Sequence, residues 1–153
     1  MKRCKLTYVA QCEAPPFERA KAQKVVDLAL AEAGRSRCSL TVLLVSAKES
    51  DALHRRHFAV DDATDVMTFP DGSDDPETGL THLGDLAVCP EVARTVARAR
   101  GRTYSDEIVL YILHGVLHLL DYDDTTPAER TRIWSAQRRL LQQVGIELEG
   151  SPE

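Results

Sequence analysis

The sequence lacks the features that mark membrane-spanning, secreted and disulfide-built proteins. No apolar run is long enough to cross a bilayer, and the first residues lead into a strand-like stretch and not into the apolar core of a signal peptide. The four cysteines are scattered and form no Cys-x-x-Cys pair, so the sequence predicts neither a disulfide framework nor a zinc–thiolate site. We therefore expect a cytoplasmic protein that has no membrane partner.

The chain also lacks an excess of basic residues. Its formal net charge is −5 at pH 7, so the protein as a whole does not resemble a nucleic-acid binder. Binding to a phosphate backbone depends on local charge, however. Two groups of arginines are close in the sequence: Arg94, Arg98, Arg100 and Arg102, and Arg130, Arg132, Arg138 and Arg139. Each group predicts either a basic surface or a solvated helix face paired with nearby glutamates.

The order of the apolar patterns indicates the fold. A chain of 153 residues is the usual size of one domain. Alternating or continuous apolar runs predict strands, and apolar residues at helical spacing predict helices. The strands are expected at residues 3–10, 39–45, 65–69 and 82–89, and the helices at 17–33, 46–56, 90–101 and 106–120 and after Pro127. This order predicts an α+β fold of the α/β-sandwich type, a single mixed four-stranded sheet packed with about five helices.

Two segments are expected to lie outside the packed domain. Residues 71–81 are acidic, contain Gly and Pro and have almost no apolar side chain, which is typical of a surface loop. After Gly145 we expect the chain to fray. The domain is thus predicted to span residues 1–147, followed by a frayed tail at residues 148–153.

One helix carries the residues on which the functional prediction depends. Residues 106–120 are apolar on all sides, which predicts a helix buried in the middle of the domain. His114 and His118 are four positions apart, so their imidazoles lie on one face about one turn apart. Two imidazoles in this arrangement can bind one divalent metal ion. The alternative is a pair of core histidines that bind no ligand.

Acidic residues follow this helix at once. Asp121, Asp123 and Asp124 lie at its C-terminal end, where the helix dipole disfavours negative charge. A bound cation would favour carboxylates there, and one of them could supply a third metal ligand. Three protein ligands leave at least one position of the metal open to water, which is the mark of a catalytic site.

Four ordered blocks of sequence point to a known family. The helix and its exit read His-Gly-Val-Leu-His-Leu-Leu-Asp-Tyr-Asp-Asp from His114 to Asp124. Upstream are Thr-Asp-Val-Met-Thr-Phe-Pro from Thr64, Leu-Gly-Asp-Leu-Ala-Val from Leu83, and Glu107 before the metal helix. In their order along the chain, the four blocks resemble the YbeY family of single-strand-specific endoribonucleases, which act in ribosomal RNA maturation. The resemblance implies a mixed sheet covered by helices, with a zinc ion in a cleft.

The chain departs from the family pattern at the metal site. Asp124 stands where the family has its third zinc-binding histidine. A carboxylate binds zinc at a similar distance, so the resemblance implies the metal ligands His114, His118 and Asp124. We expect one Zn²⁺ per chain, and a carboxylate ligand also suits another, harder divalent metal. The family glycine before the tyrosine is Asp121 here, which we expect to adopt the left-handed conformation of a helix-ending glycine.

The residues expected to act on the substrate come mostly from family positions. The catalytic candidates are His114, Glu107, Asp85 and Arg56, with Asp65 and Asp123 as further possible proton acceptors. Phe58 replaces an arginine that many relatives have, so Arg55 or Arg56 is expected to contact the phosphate. The expected substrate-binding residues are Arg55, Arg56, Phe58, Arg94 and Arg98. Unstacked bases could rest on Phe58, Phe69 or Tyr104.

Gly115 directly follows the first metal-binding histidine. In the metalloprotease pattern His-Glu-x-x-His this position carries the general base, and glycine cannot transfer a proton. The glycine therefore argues against peptide hydrolysis by that route. We expect Gly115 instead to leave room for an anionic polymer backbone to approach the helix.

The residues and the resemblance together predict a metal-dependent endoribonuclease for single-stranded RNA. By resemblance its substrate is ribosomal RNA, its roles are processing of the 16S rRNA 3′ end and ribosome quality control, and its partner is the small ribosomal subunit. Two alternatives stay open. One is a different zinc metallohydrolase, acting on peptides or small molecules, and the other is a non-catalytic ribosome-assembly factor whose fold the metal stabilises.

Overall fold

The computed structural model of the chain describes residues 3–58 and 66–150, with the side chains of residues 54–58 excepted. The elements in chain order are β1 (Lys5–Ala10), α1 (Arg19–Glu32), β2 (Cys38–Leu44), α2 (Ala47–Phe58), β3 (Val66–Pro70), β4 (Thr81–Val88), α3 (Pro90–Arg100), α4 (Tyr104–Leu119) and α5 (Pro127–Gln142). These elements agree with the predicted order, and their ends differ from the predicted ones by a few residues.

The strands form one mixed sheet in the order β1-β2-β4-β3. β1 pairs with β2 and β2 with β4 in parallel, whereas β3 pairs with β4 antiparallel at the edge. α1 makes the crossover that a parallel β1–β2 pair requires. In the described part of the chain, a mixed four-stranded sheet with five helices confirms the predicted α+β fold.

The main hydrophobic core lies on one face of the sheet. Alternate residues of β2 are buried and the intervening ones are half-buried, as the two faces of a strand require. α4 lies within this core, where it contacts α1, α3, α5, β3 and β4. Ile108, Ile112 and Leu113 of α4 are 0% exposed, which confirms that the histidine-bearing helix is buried in the domain.

Local signals set the start of α4 and its distance from the sheet. The Thr103 side chain caps the helix by accepting a hydrogen bond from the Asp106 N–H. Gly115 is buried, and a Cβ atom added there would lie 2.7 Å from Leu86 Cδ2 of β4. The expectation that Gly115 leaves room for a polymer backbone is therefore wrong. The glycine instead allows α4 to pack closely on the sheet.

The chain after α5 returns to the core. Ile146 and Leu148 are 3% and 7% exposed and belong to the main hydrophobic cluster. The expected fraying after Gly145 is therefore wrong for these two residues, because burial of their apolar side chains offsets the loss of chain freedom. Residues 151–153 lie outside the described residues, so the end of the domain stays a prediction.

The acidic loop and the cysteines have the surroundings that the sequence predicted. Residues 71–79 are all exposed, as expected of a surface loop. Cys4, Cys38 and Cys89 are free and buried, and burial raises the pKa of the Cys4 thiol to about 12. Such thiols act as small apolar groups. Among the described residues, no helix is both long and apolar enough to cross a bilayer.

Gly84 lies where β4, β3 and the end of α4 meet, and it yields a stability prediction. Its φ is +153°, and a Cβ atom there would lie 2.4 Å from the Phe69 carbonyl oxygen and 3.2 Å from Leu119 Cδ2. We expect Gly84→Ala to lower the free energy of unfolding by about 3 kcal/mol or more, because the clash involves backbone that cannot move aside. Urea unfolding monitored by circular dichroism measures the loss.

Gly101→Ala is the matched control. Gly101 has a φ of +67° with no atom within 4 Å of the added Cβ, so only its left-handed conformation is strained. We expect this change to cost about 1–2 kcal/mol. A loss for Gly84→Ala no larger than that for Gly101→Ala would contradict the close approach of β3 to β4.

Candidate metal centre

The two histidines of α4 direct their Nε2 atoms at each other. The Nε2 atoms of His114 and His118 are 2.9 Å apart, with ring centroids at 4.5 Å and planes at 74°. The pair therefore presents two nitrogen lone-pair positions to a single point beside the last turn of α4.

Asp124 completes the group from the segment after the helix. Its Oδ2 atom is 3.4 Å from His118 Nε2 and 4.0 Å from His114 Nε2. Tetrahedral zinc with bonds of about 2.0–2.2 Å holds its ligand atoms roughly 3.3–3.6 Å apart. The three observed separations, 2.9, 3.4 and 4.0 Å, lie on both sides of this range. The ligand atoms of His114, His118 and Asp124 all lie within 4.8 Å of one another, so in the described part of the chain these three side chains could hold a metal ion together.

The chain brings Asp124 to the histidines through a left-handed residue. Asp121 has a φ of +70°, as expected from its place at a family glycine. Around it, the Tyr122 N–H donates to the Leu117 carbonyl at 3.0 Å and closes the helix end. The Asp123 carboxylate then accepts from the Asp124 N–H at 2.8 Å, which fixes the next turn. Asp123 thus shapes the segment that carries Asp124.

Gln137 is a site residue that sequence reasoning missed. It lies in α5, is 6% exposed, and its Oε1 atom accepts a short hydrogen bond from His114 Nδ1. A proton held on Nδ1 leaves the lone pair of Nε2 free for a metal, which is how carboxamide and carboxylate partners orient metal-binding histidines. The available signal was a polar residue among the inward-facing apolar positions of α5.

The other acidic candidates lie away from this cluster. Leu86 faces Gly115 of α4, so its neighbour Asp85 points to the opposite face of the sheet. There Asp85 pairs with His82 Nε2 at 2.9 Å, and His82 Nδ1 bonds to Ser39 Oγ at 2.8 Å. The structure therefore does not bring Asp85 together with the two α4 histidines.

Glu107 lies on the His114 side of α4 but closer to its N-terminus. Two helical turns separate the two residues, which is about 10 Å along the axis. Glu107 is 1% exposed, and its Oε1 atom accepts a 2.6 Å hydrogen bond from Arg102 Nη1. This buried ion pair places Glu107 beyond direct contact with the three candidate ligands.

The expected substrate-binding residues are described in part. Arg94 and Arg98 are exposed on α3, and neither forms an ion pair with a described carboxylate. In the group from Arg130 to Arg139, Arg139 pairs with Glu32. This one arginine therefore agrees with a helix face paired with glutamates and not with a free basic surface. The side chains of Arg55, Arg56 and Phe58, and all of Thr64 and Asp65, lie outside the described residues.

The two described aromatic candidates for base stacking are engaged in packing. Tyr104 donates its hydroxyl to the Pro15 carbonyl at 3.0 Å and packs against the main core. Phe69 packs against the small cluster formed by Val45, Met67 and Ala87. Neither contact indicates a free stacking surface beside the histidines.

Comparison with known proteins agrees with this fold and site. Residues 11–145 match the family described as endoribonuclease YbeY. The endoribonuclease YbeY of Arthrobacter sp. (strain FB24) is 40% identical over 108 residues, which are 67% of this chain and 69% of that protein. The endoribonuclease YbeY of Mycobacterium tuberculosis (strain ATCC 25177 / H37Ra) is 39% identical over 111 residues, 68% of this chain and 63% of that protein.

A solved structure shows the same fold at lower identity. The solution structure of TM1509 from Thermotoga maritima superposes with a TM-score of 0.59 at 21% identity, covering 92% of this chain and 88% of that one. This likeness supports the fold alone, whereas the sequence match extends across both histidines and Asp124. The chain therefore belongs to the endoribonuclease YbeY family.

Proposed function

We propose that this protein is a metal-dependent endoribonuclease that cuts single-stranded RNA in the maturation of ribosomal RNA. The observation that carries the proposal is the convergence of two imidazole nitrogens and a carboxylate oxygen at one point. The side chains of His114, His118 and Asp124 are 28%, 23% and 44% exposed, so a polymer in solution can reach this point. The substrate proposed is RNA of the small ribosomal subunit, met in the cytoplasm.

We propose zinc as the metal, with His114, His118 and Asp124 as its ligands. Nitrogen and carboxylate donors at these separations fit a tetrahedral Zn²⁺ with one position left over, and the single carboxylate also suits a harder divalent ion. When bound, the ion would supply a Lewis acid for the phosphodiester and for the attacking water.

The chain's own residues would prepare the site for this chemistry. Gln137 keeps the proton of His114 on Nδ1, and the turn at Asp121 holds Asp124 within reach of both rings. Arg94 and Arg98 stay predicted phosphate contacts on their charge and exposure alone, because no described contact joins either of them to the candidate ligands. The positions of Asp85 and Glu107 give no support to either as the group that accepts a proton from water.

The first prediction concerns the ligand set. Asp124→Ala should lower the affinity for zinc at least tenfold because one of three donors is lost, whereas Asp124→His should retain zinc because imidazole is an equivalent donor. Asp51→Ala is the control, because it makes the same change at an exposed position of α2. Metal content and competition with a chelator measure these affinities, and unchanged zinc binding by Asp124→Ala would remove Asp124 from the site.

The second prediction concerns the orientation of His114. Gln137→Leu should weaken zinc binding about 10- to 100-fold, because His114 loses the acceptor that fixes its tautomer. Gln137→Glu should keep the affinity, since a carboxylate accepts the same hydrogen bond. Gln142→Leu is the same substitution at an exposed position of α5. Nitrogen NMR of the imidazoles reports the tautomer directly, and an unchanged tautomer in Gln137→Leu would refute the role given to Gln137.

The third prediction separates the three candidate functions. Zinc-loaded protein should cut single-stranded RNA and leave duplex RNA and peptides intact. His118→Ala should abolish the cutting while the melting temperature stays within a few degrees, because the apolar side chains of α4 that pack in the core are unchanged. Cleavage of peptides would favour a different metallohydrolase. Collapse of folding on metal loss, in a protein that cuts no RNA, would favour a metal-stabilised assembly factor.

A further inference from the structure

A groove extends from His114 toward the N-terminal end of α4. It lies between α4, α5 and the C-terminal segment, and its volume is about 980 Å³. His114 and Gln137 line it near the candidate metal ligands, whereas Arg102 and Glu107 line it near the start of α4. Trp134, the single tryptophan of the chain, also lines it and is half-buried. The volume is ample for one nucleotide.

The charges of the groove differ from those of a phosphate-binding surface. Four carboxylates and two guanidinium groups line it, a net charge of −2 without His114: Asp106, Glu107, Glu147 and Glu149, and Arg100 and Arg102. An excess of carboxylates repels a run of phosphates. The same carboxylates accept hydrogen bonds from amino groups. The groove thus favours a polar ligand that carries N–H donors over a polyanionic backbone.

Glu107 provides an independent sign that a donor is missing. Its Oε1 atom is bonded to Arg102, but its buried Oε2 atom has no hydrogen-bond partner among the described residues. A buried acceptor without a donor is costly and is uncommon in folded proteins. Because Glu107 lines the groove, a ligand in the groove that carries an N–H group could supply the hydrogen bond that Oε2 lacks.

We propose that this groove holds one unpaired RNA base next to the phosphate that is cut. The phosphate would lie at the candidate metal ligands, and the base would stack on Trp134, beside the Arg138 guanidinium that lies 5.4 Å from the centroid of this ring. The amino group of the base would point toward the acidic end. The 10 Å along α4 between His114 and Glu107 is about the span of a nucleotide from its phosphate to the far edge of its base. The inference rests on the proposed RNA cleavage and adds a base preference to it.

The proposal makes a distinction among the bases. Guanine, adenine and cytosine carry an exocyclic amino group that can donate to a carboxylate, whereas uracil has only its ring N3–H as a base donor. Stacking on an indole ring serves every base. RNA with guanine, adenine or cytosine beside the cut should therefore bind more tightly than RNA with uracil there, by roughly tenfold.

The single tryptophan allows occupancy to be measured without cleavage. Zinc-loaded protein and metal-free protein are titrated with 2′-O-methyl trinucleotides of one base each, under conditions in which they stay intact, and with an abasic trinucleotide. A base stacked on Trp134 should quench its fluorescence in a saturable way. We expect the tightest binding for the amino-bearing trinucleotides, weaker binding for uridine and no quenching by the abasic probe.

Variants test the same groove in RNA cleavage. Trp134→Leu keeps an apolar side chain but removes the stacking surface, so KM should rise roughly tenfold while kcat changes little. The exposed pair Glu147→Gln and Glu149→Gln should reduce the preference for amino-bearing bases. The exposed pair Glu13→Gln and Glu77→Gln makes the same charge change outside the groove and should leave the preference unchanged.

The outcomes distinguish this inference from the proposed function. RNA that is cut normally, with no base-dependent quenching and an unchanged KM in Trp134→Leu, would overturn the base site and leave the nuclease in place. Base-dependent quenching in a protein that cuts no RNA would support the base site and overturn the nuclease. Quenching by a lysine-rich peptide but by none of the trinucleotides would overturn the inference in favour of a basic protein partner.

Discussion

The candidate centre depends on one backbone constraint, the reversal of the chain at Asp121. A left-handed residue at this position ends α4, satisfies its last carbonyl groups and turns the chain back along the helix. Without the reversal, Asp124 would continue away from His114 and His118. A carboxylate can therefore replace an imidazole at this position while the geometry of the site is kept.

The burial of α4 explains why the site is rigid on one side and open on the other. Gly115 lets the helix contact Leu86 of β4, so the middle of the helix is fixed against the sheet. Both imidazoles lie on a partly exposed side of its last two turns. Gln137 then joins His114 to α5 by a buried hydrogen bond. A buried polar pair of this kind is stabilising only when both partners are present, so it orients the ring.

Local patterns were sufficient to predict much of the fold and the three convergent side chains. The spacing of His114 and His118 follows from helix geometry alone, and the family pattern indicated Asp124. The strand and helix order could likewise be predicted, because each element has its own apolar period. Features that arise between distant segments could not be predicted in this way. The contact of Gln137 with His114 depends on how α5 packs on α4. The burial of Leu148 depends on the space that the other core residues leave for its side chain, which is set only when they are packed together.

The most direct test of the account is zinc X-ray absorption spectroscopy of the purified protein. Two imidazole nitrogens and one carboxylate oxygen, with solvent completing the shell, should give nitrogen and oxygen scatterers at about 2.0–2.2 Å. The imidazole signal should be lost together with the metal in a double variant of His114 and His118. Sulfur scatterers at about 2.3 Å, or a zinc signal that survives loss of both histidines, would show that the metal binds elsewhere.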